Sequence, residues 1–575
     1  MGVLLSRKKF CYIALFILTL LLSFISCKEI VQGPESAEAP LSTVWSLTPP
    51  PAVYPYNVSG LNITVNNNAV YGEIRYTIDG SDPIFSGFVY SGSITITGPC
   101  TVKLVSITNG VPSEVYSAYY TFKLSPPVFS PPGGLYNETK NITLSSLPAG
   151  VTIRYTMDGS DPKTSGTAAN YAAAIPISVN TTIRAYGYLA GYVDSDVATH
   201  NYVIMPGLFV KTTGNNANLG TPDAPFATIT HALSVAAAGT KIYVAAGTYN
   251  ESITIDNNKT VLGGYNNANW LDVNVKDRDN PTYRTEIVAA AALNYTVLID
   301  NCNNTTRLQG FVIQGGNTGP GRYGVQINTN TPIVQYNTIH GSGPALGFNT
   351  HGISINSANP LIQFNVIIGG NGSNSNHGIY IDGATSNPII QNNAIFASAS
   401  GASPPSSYGI RILNASAPLK IFNNLIFGGN GNNSYGIYMQ NGAAIIYNNT
   451  ISTGSRLGAA NTYGYYGDPS GSTELKNNVI FTDGTAASNY AVYINGAGST
   501  SMDYNTHSPT LSLFNVTIGA GNIQTPVVLD AAKRPTAASD PSIQTGGTDL
   551  SAFFTVDIQN NARTMPWSRG CYEYN

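Results

Sequence analysis

Residues 323–494 repeat one hydrophobic–polar pattern seven times. It reads aromatic or His, then Gly or Ala, then an aliphatic residue or Tyr, any residue, and in six of the seven a further aliphatic residue. Four of the seven are Tyr323-Gly324-Val325-Gln326-Ile327, His351-Gly352-Ile353-Ser354-Ile355, His377-Gly378-Ile379-Tyr380-Ile381 and Tyr408-Gly409-Ile410-Arg411-Ile412. The others are Tyr435-Gly436-Ile437-Tyr438-Met439, Tyr463-Gly464-Tyr465-Tyr466-Gly467 and Tyr490-Ala491-Val492-Tyr493-Ile494. The second position steps by 28, 26, 31, 27, 28 and 27 residues. Between these segments runs a second ladder: Pro332-Ile333-Val334 with Asn337, Pro360-Leu361-Ile362 with Asn365, and Pro388-Ile389-Ile390 with Asn393. It continues more loosely through Asn424, Asn449 and Asn478. Apolar residues two apart in short segments predict strands. A fixed period of this size predicts a solenoid of parallel strands stacked about 4.8 Å apart.

Alternation along a strand sorts the side chains. The aliphatic pair and the aromatic before it share a face, which is expected to be the core. Tyr323, His351, His377, Tyr408, Tyr435, Tyr463 and Tyr490 are therefore expected as an inward or corner stack, with His351 and His377 structural neighbours and not metal ligands. The ladder Asn residues are expected to cap turns through stacked amides. The outward row then reads Gln326, Ser354, Tyr380, Arg411, Tyr438, Tyr466, Tyr493. The row beside it reads Asn328, Asn356, Asp382, Leu413, Gln440, Asp468, Asn495.

Upstream lies a duplication. Ile74-Arg75-Tyr76-Thr77-Ile78-Asp79-Gly80-Ser81-Asp82-Pro83 recurs as Ile153-Arg154-Tyr155-Thr156-Met157-Asp158-Gly159-Ser160-Asp161-Pro162, 79 residues on. Each copy is an alternating strand entering an Asp-Gly turn. About seven short strands per copy predict an Ig-like sandwich. Asp79, Asp82, Asp158 and Asp161 are expected to form the turns, and calcium held by the same acidic turns is the sharper alternative.

Both copies resemble the chitobiase/β-hexosaminidase C-terminal domain, on the Tyr-Thr-x-Asp-Gly-Ser-Asp-Pro text. Residues 208–253 resemble the opening of secreted right-handed β-helix proteins of the pectin-lyase-like class. The matching pieces are Phe209-Val210-Lys211-Thr212-Thr213-Gly214-Asn215, Gly220-Thr221-Pro222 and Pro225-Phe226-Ala227-Thr228-Ile229, then an amphipathic helix ending at Gly239 and a first strand from Lys241. Asp557 to Arg563 followed by Arg569-Gly570-Cys571-Tyr572-Glu573 resembles the end of the same proteins. The resemblances imply an all-β chain: two Ig-like β-sandwich modules followed by a right-handed parallel β-helix with an N-terminal capping helix. The expected divisions are 45–124, 125–204 and 205–575.

The N-terminus changes the picture of location. Arg7, Lys8 and Lys9 precede an apolar run from Phe10 to Ile25 that is short for a membrane span and ends at Ser26-Cys27. This resembles a bacterial lipoprotein signal over residues 1–26, with Cys27 lipidated and residues 27–44 a tether. The expectation is a cell-envelope protein on the outer membrane or cell surface. Of the other cysteines, Cys11 lies inside the leader, and Cys100, Cys302 and Cys571 form no disulfide framework. A charged fraction of 10% and a net charge of −3 argue against a nucleic-acid partner.

Aromatic rings flanked by amides and carboxylates suit sugars, which have apolar faces and many hydroxyls. Tyr380, Arg411, Tyr438, Tyr466, Tyr493, Asp382 and Asp468 are therefore the expected glycan-binding residues, for a polysaccharide or a host or envelope polymer. The pectin-lyase-like resemblance also implies a lyase or hydrolase, since lyases of this fold use a Lys or Arg base and often calcium. Arg411 and Asp382 are the candidates, although Arg is a poor base and an Arg411–Asp382 ion pair is the plainer expectation. Asp382 and Asp468 lie three coils apart, too far for a glycosidase pair. The alternative place for an enzymatic site is the long loops at 268–286 (Asp272, Lys276, Asp277, Arg278, Asp279) or 453–470. No metal site and no cofactor are called for, and a purely architectural envelope protein is the third reading.

Overall fold

The computed structural model describes residues 44–527 apart from short internal stretches (68–71, 271–279, 281–282, 291–292, 317–321, 329–330, 344–346, 399–403, 416–417, 455–458, 469, 483–485 and 497). Beyond 527 it describes residues 544, 547–550, 557–559, 563 and 568–572. The leader, Cys27 and most of the tether thus lie outside the described residues. Chain contacts divide it into two compact units. One holds the chain up to Ser125 with Leu147–Val151 and Gly187–Asp196, and the other holds Pro126–Ser146, Thr152–Tyr186 and Val197–Asn575.

The first sandwich pairs a sheet of Trp45–Thr48, Leu61–Asn67 and Ile94–Ile96 with a sheet ordered Val53–Pro55, Tyr116–Lys123, Cys100–Thr108, Glu73–Thr77, Phe88–Val89. Alternate residues of both sheets, among them Ile63, Ile94, Val102, Leu104, Tyr120 and Phe122, fill its core. The second sandwich repeats the order, with Val128–Ser130, Lys140–Ser145 and Ile175–Ile177 against Gly134–Tyr136, Ala198–Ile204, Thr181–Tyr188, Thr152–Thr156 and Ala169–Asn170. The repeated Asp-Gly turns are closed by their own side chains. Asp79 Oδ1 accepts from the Ser81 amide at 3.0 Å and Asp158 Oδ1 from the Ser160 amide at 3.0 Å. Asp82 and Asp161 accept from the amides two residues on. Turn formation is thus what these four carboxylates do.

From Leu208 the chain winds into a right-handed parallel β-helix of three sheets, with 12, 11 and 10 strands. Every pairing within them is parallel, as in Ile379 opposite Ile410 opposite Ile437. Each coil sends aliphatic side chains into one continuous core, in which Ile379 and Ile381 are fully buried. The first coil is covered by the helix Ile229–Val235, which turns Ile229, Ala232 and Leu233 inward. Thr228 caps the helix, and the Glu251 carboxylate accepts from the Ile229 and Thr230 amides. The helix stops short of Gly239, whose φ of +76° serves the turn into Lys241–Ala245.

One corner of the coil is built by the Asn ladder. Asn337, Asn365, Asn393, Asn424, Asn449 and Asn478 are buried, and each Oδ1 accepts from the backbone amide of the Asn one coil earlier at 2.9–3.0 Å or, for Asn337, from Phe311 at 3.0 Å. Asn505 and Asn522 extend it. A buried polar side chain is tolerated because its groups are paired. The residue before each rung, from Tyr336 to Tyr504, has φ near +55°, which bends the chain at the corner. The C-terminal segment straps this side of the solenoid. Arg563 donates to Asn423 Oδ1 at 2.8 Å and Arg569 to the Asn505 carbonyl at 3.0 Å.

Candidate functional site

The site lies on the third sheet, whose outer face carries the repeated Tyr-Gly-Ile-Tyr text. Simple alternation fails there. In Asn433–Met439, Ser434 is buried and Ile437 and Met439 join the core. A Cβ on Gly436 would nevertheless meet Ile451 Cγ2 at 2.4 Å and the Gly464 carbonyl at 2.7 Å, so Gly436 faces the interior beside Ile437. Register skips this position in the neighbouring strands, from Tyr408 opposite Tyr435 to Ile410 opposite Ile437. Two successive inward positions put Tyr435 and Tyr438 on the same outer face, 5.3 Å apart and nearly perpendicular. The ladder aromatics stay out of the aliphatic core and form the corner stack, because the glycine takes the inward position beside the aliphatic residue. Within the stack His351, His377, Tyr408 and Tyr463 are buried and Tyr323, Tyr435 and Tyr490 part-buried.

That stack is a column of seven rings. Tyr323 meets His351 at 4.9 Å, His351 meets His377 at 4.5 Å, and His377 meets Tyr408 at 5.0 Å. Tyr408, Tyr435, Tyr463 and Tyr490 follow at 4.8, 4.9 and 5.5 Å with planes within 9°. A second column runs beside it in the expected outward row. Tyr438, Tyr466, Tyr493 and Phe514 stack at 5.1, 5.4 and 4.6 Å, with planes 5°, 12° and 13° apart. Arg411 continues this column, its guanidinium carbon 5.7 Å from the Tyr438 ring, 5.9 Å from Tyr380 and 4.8 Å from Tyr408. Stacked cations over aromatic faces are favourable.

This geometry decides what a ligand can meet. Each ring in the middle of the second column has a neighbour on either face, so it offers solvent its edge and hydroxyl. Among the described residues, neither the Tyr438 nor the Tyr493 hydroxyl makes a hydrogen bond. Burial, the largest influence, raises the Tyr438 and Tyr466 phenols above their usual range, so both stay protonated near neutrality. Beside the row runs an amide relay. Asn414 Nδ2 donates to Asp382 Oδ1 at 3.0 Å, and Asn441 Nδ2 donates to Asn414 Oδ1 at 3.2 Å.

The Arg411–Asp382 ion pair is not formed. No carboxylate lies within 4.0 Å of Arg411 among the described residues. Its Nη1 instead lies 3.3 Å from His377 Nε2, because stacking against Tyr408 draws the guanidinium toward the inner column. His377 and His351 are wholly buried. Desolvation lowers both imidazoles, to about 3 for His351 and well below the usual value for His377, with Arg411 adding to each. They are neutral near pH 7, and the His377 Nε2 lone pair faces Arg411. Asp382 and Asp468 are separated by the register steps Ile381–Ile412–Met439–Gly467, which is three coils or about 14 Å. That exceeds the roughly 5–9.5 Å of a glycosidase pair.

Of the two loops considered for a separate site, Asp272, Lys276, Asp277, Arg278 and Asp279 lie outside the described residues. Half of the 453–470 stretch is the strand Ala459–Gly467, and residues 455–458 and 469 within it lie outside the described residues. Among the described residues no group of three or more His, Cys, Asp or Glu could hold a metal. The sequence left the inner column between an inward and a corner position and gave no sign of the Asn414–Asn441 relay or Phe514. The signal for the corner was the glycine between two aromatics three positions apart.

Three segments match family models. Residues 131–199 match the chitobiase/beta-hexosaminidase C-terminal domain, residues 61–120 a domain described as Fn3 associated, and residues 212–416 a protein of unknown function (DUF1565). No curated protein matches the chain. Among solved structures, pectate lyase Pel9A is 14% identical with a TM-score of 0.35, over 64% of this chain and 96% of that one. A rhamnogalacturonan lyase is 15% identical with a TM-score of 0.28, over 53% and 74% of the two chains. Fibronectin(III)-like modules of Clostridium thermocellum CbhA are 14% identical with a TM-score of 0.14, over 28% and 95%.

Proposed function

We propose that the protein binds glycans without cleaving them, as a cell-envelope protein anchored by lipid at Cys27 and displayed at the outer membrane or cell surface. The ligand is a polysaccharide or an envelope or host polymer lying along the third sheet. The observation that carries this reading is the outer column Tyr380–Arg411–Tyr438–Tyr466–Tyr493–Phe514, which repeats planar groups across six successive strands, the first five bearing a polar group. Tyr hydroxyls, ring edges, Arg411, Asp382 and Asp468 supply donors and acceptors at a spacing near 4.8 Å. The match of one sandwich to a domain of carbohydrate-active proteins supports the same reading.

Binding without cleavage is favoured by the chemistry beside the row. Two carboxylates three coils apart cannot act as a pair, Arg411 is engaged by rings and His377, and the buried imidazoles are weak bases. The experiment is a glycan-array screen of the whole protein with an assay for unsaturated uronate release. Retention without release is expected. Release that disappears in Arg411→Ala would replace binding by a lyase, and silence in both assays would leave an architectural protein.

A further inference from the structure

Residues of the second sandwich and of the first coils of the solenoid, all of them within the second compact unit, line a cleft of 790 Å³. Tyr136, Asn180 and Asn201 line it from the sandwich, and Asp223, Tyr265 and Trp270 from the solenoid. Its size falls within the roughly 300–1,000 Å³ of small-molecule sites, which favour such junctions. The walls are fixed to each other. Leu135 and Met205 pack into one apolar cluster with Phe209, Tyr243, Tyr265 and Trp270, and the Met205 amide donates to the Tyr136 carbonyl at 2.8 Å.

Trp270 is held in an unusual conformation at this wall. Its φ is +56°, a region that bulky residues rarely occupy. The conformation is kept by its backbone amide donating to the Asn266 carbonyl at 3.1 Å, by Nε1 donating to the Pro222 carbonyl at 3.1 Å, and by an edge contact to Phe209 at 4.8 Å. Strain of this kind persists where surroundings impose it, and it gathers at binding sites.

The polar lining is arranged to present particular groups. Asn180 Oδ1 accepts from the Ile204 amide at 2.8 Å and Asn201 Oδ1 from Thr182 Oγ1 at 2.9 Å. Both amides are thereby oriented, with Nδ2 left as a donor. Asp223 is exposed and, among the described residues, forms no ion pair. No Lys, Arg or His lines the cleft. Two donors, one carboxylate acceptor and an aromatic wall match a polyhydroxylated ring with an apolar face. Asp223 repels anions, and Lys140, whose Nζ lies 5.2 Å from the Tyr136 ring, is neutralised by its ion pair with Glu138 at 2.7 Å.

We infer that this cleft is a second carbohydrate site, selective for a neutral pyranose, built from the second sandwich and the solenoid together. It stands independently of the tyrosine row. The test is saturation-transfer NMR on the full-length protein in detergent, with glucose, galactose, N-acetylglucosamine and glucuronate as separate probes. At least one neutral sugar should receive saturation and glucuronate should not. Asn201→Ala and Asp223→Ala should each weaken that binding about tenfold or more, with unchanged thermal unfolding. The Tyr438, Tyr466 and Tyr493 triple Phe variant should keep it. Absence of signal from every neutral sugar, equal signal from glucuronate, or binding unchanged in the Asn201→Ala/Asp223→Ala double variant would each overturn the inference.

Discussion

Tyr438 and Tyr466 lie with ring planes 5° apart and centroids 5.1 Å apart, so each covers a face of the other. Their stacking ties the outer row to stability as well as to the proposed binding. Aromatic pairs contribute about 0.5–1.5 kcal/mol beyond area burial, and Tyr466 has such partners on both sides. Tyr466→Ala should therefore lower unfolding free energy by about 1–3 kcal/mol in a denaturant titration. Tyr466→Phe keeps the ring and should change it by less than about 0.5 kcal/mol. Equal effects of the two substitutions would mean that the column does not form.

Ile381 is fully buried and Tyr380 beside it is half-buried on the outer face. Ile381→Ala should cost about 2–5 kcal/mol through transfer and cavity terms. Tyr380→Ala should cost clearly less. Matching losses in chemical unfolding would contradict the parity assigned to this strand.

Asn449 Oδ1 accepts both the backbone amide and the side-chain Nδ2 of Asn424, at 2.9 and 3.0 Å. The Asn424 Nδ2 group keeps the Ile390 and Phe422 carbonyls without Asn449, but the buried Asn424 backbone amide loses its acceptor, which costs about 1–3 kcal/mol. Asn449→Ala should thus destabilise by about 1–3 kcal/mol, and hydrogen exchange at the Asn424 amide should accelerate. A loss below 0.5 kcal/mol, at the level of a surface substitution, would show that the ladder is decorative.

His351 gives a pH dependence with a defined sign. The unfolded imidazole takes its proton near 6.5 and the folded one only near 3, because burial disfavours the charged ring. Between those values the unfolded state binds more protons, so stability is fully present above pH 6.5 and falls as pH drops toward 3. His377 acts in the same direction. His351→Tyr, which restores the commoner ladder residue, should flatten the unfolding midpoint across this window. A midpoint that falls as steeply as in the parent would remove His351 as a cause.

Much of the solenoid was legible because its period is carried by residues that physics constrains tightly. Ile379 and Ile381 must be apolar to fill the core, and Asn365 must be an amide to satisfy a buried corner. The sandwiches were legible from Asp79 and Asp158, whose turns need those side chains. The site was only half legible. Alternation placed Tyr438 and Tyr466 outside, but it left Tyr435 between an inward and a corner position, because one-dimensional parity does not register the inward turn at Gly436. The partner of Arg411 was equally hidden. Sequence put Asp382 near it, whereas stacking on Tyr408 set its direction. Proximity alone does not choose between a carboxylate and a ring.

The most direct measurement is polymer affinity of the protein with Tyr438, Tyr466 and Tyr493 replaced together by Phe. This removes three hydroxyls and keeps the stacked rings. At about 0.5–1.5 kcal/mol per hydrogen bond, and 1.4 kcal/mol per decade, affinity for the polymer the parent retains should fall roughly ten- to a thousand-fold. Thermal unfolding should be unchanged. Undiminished retention in a fully folded triple variant would contradict the claim that this row binds the glycan.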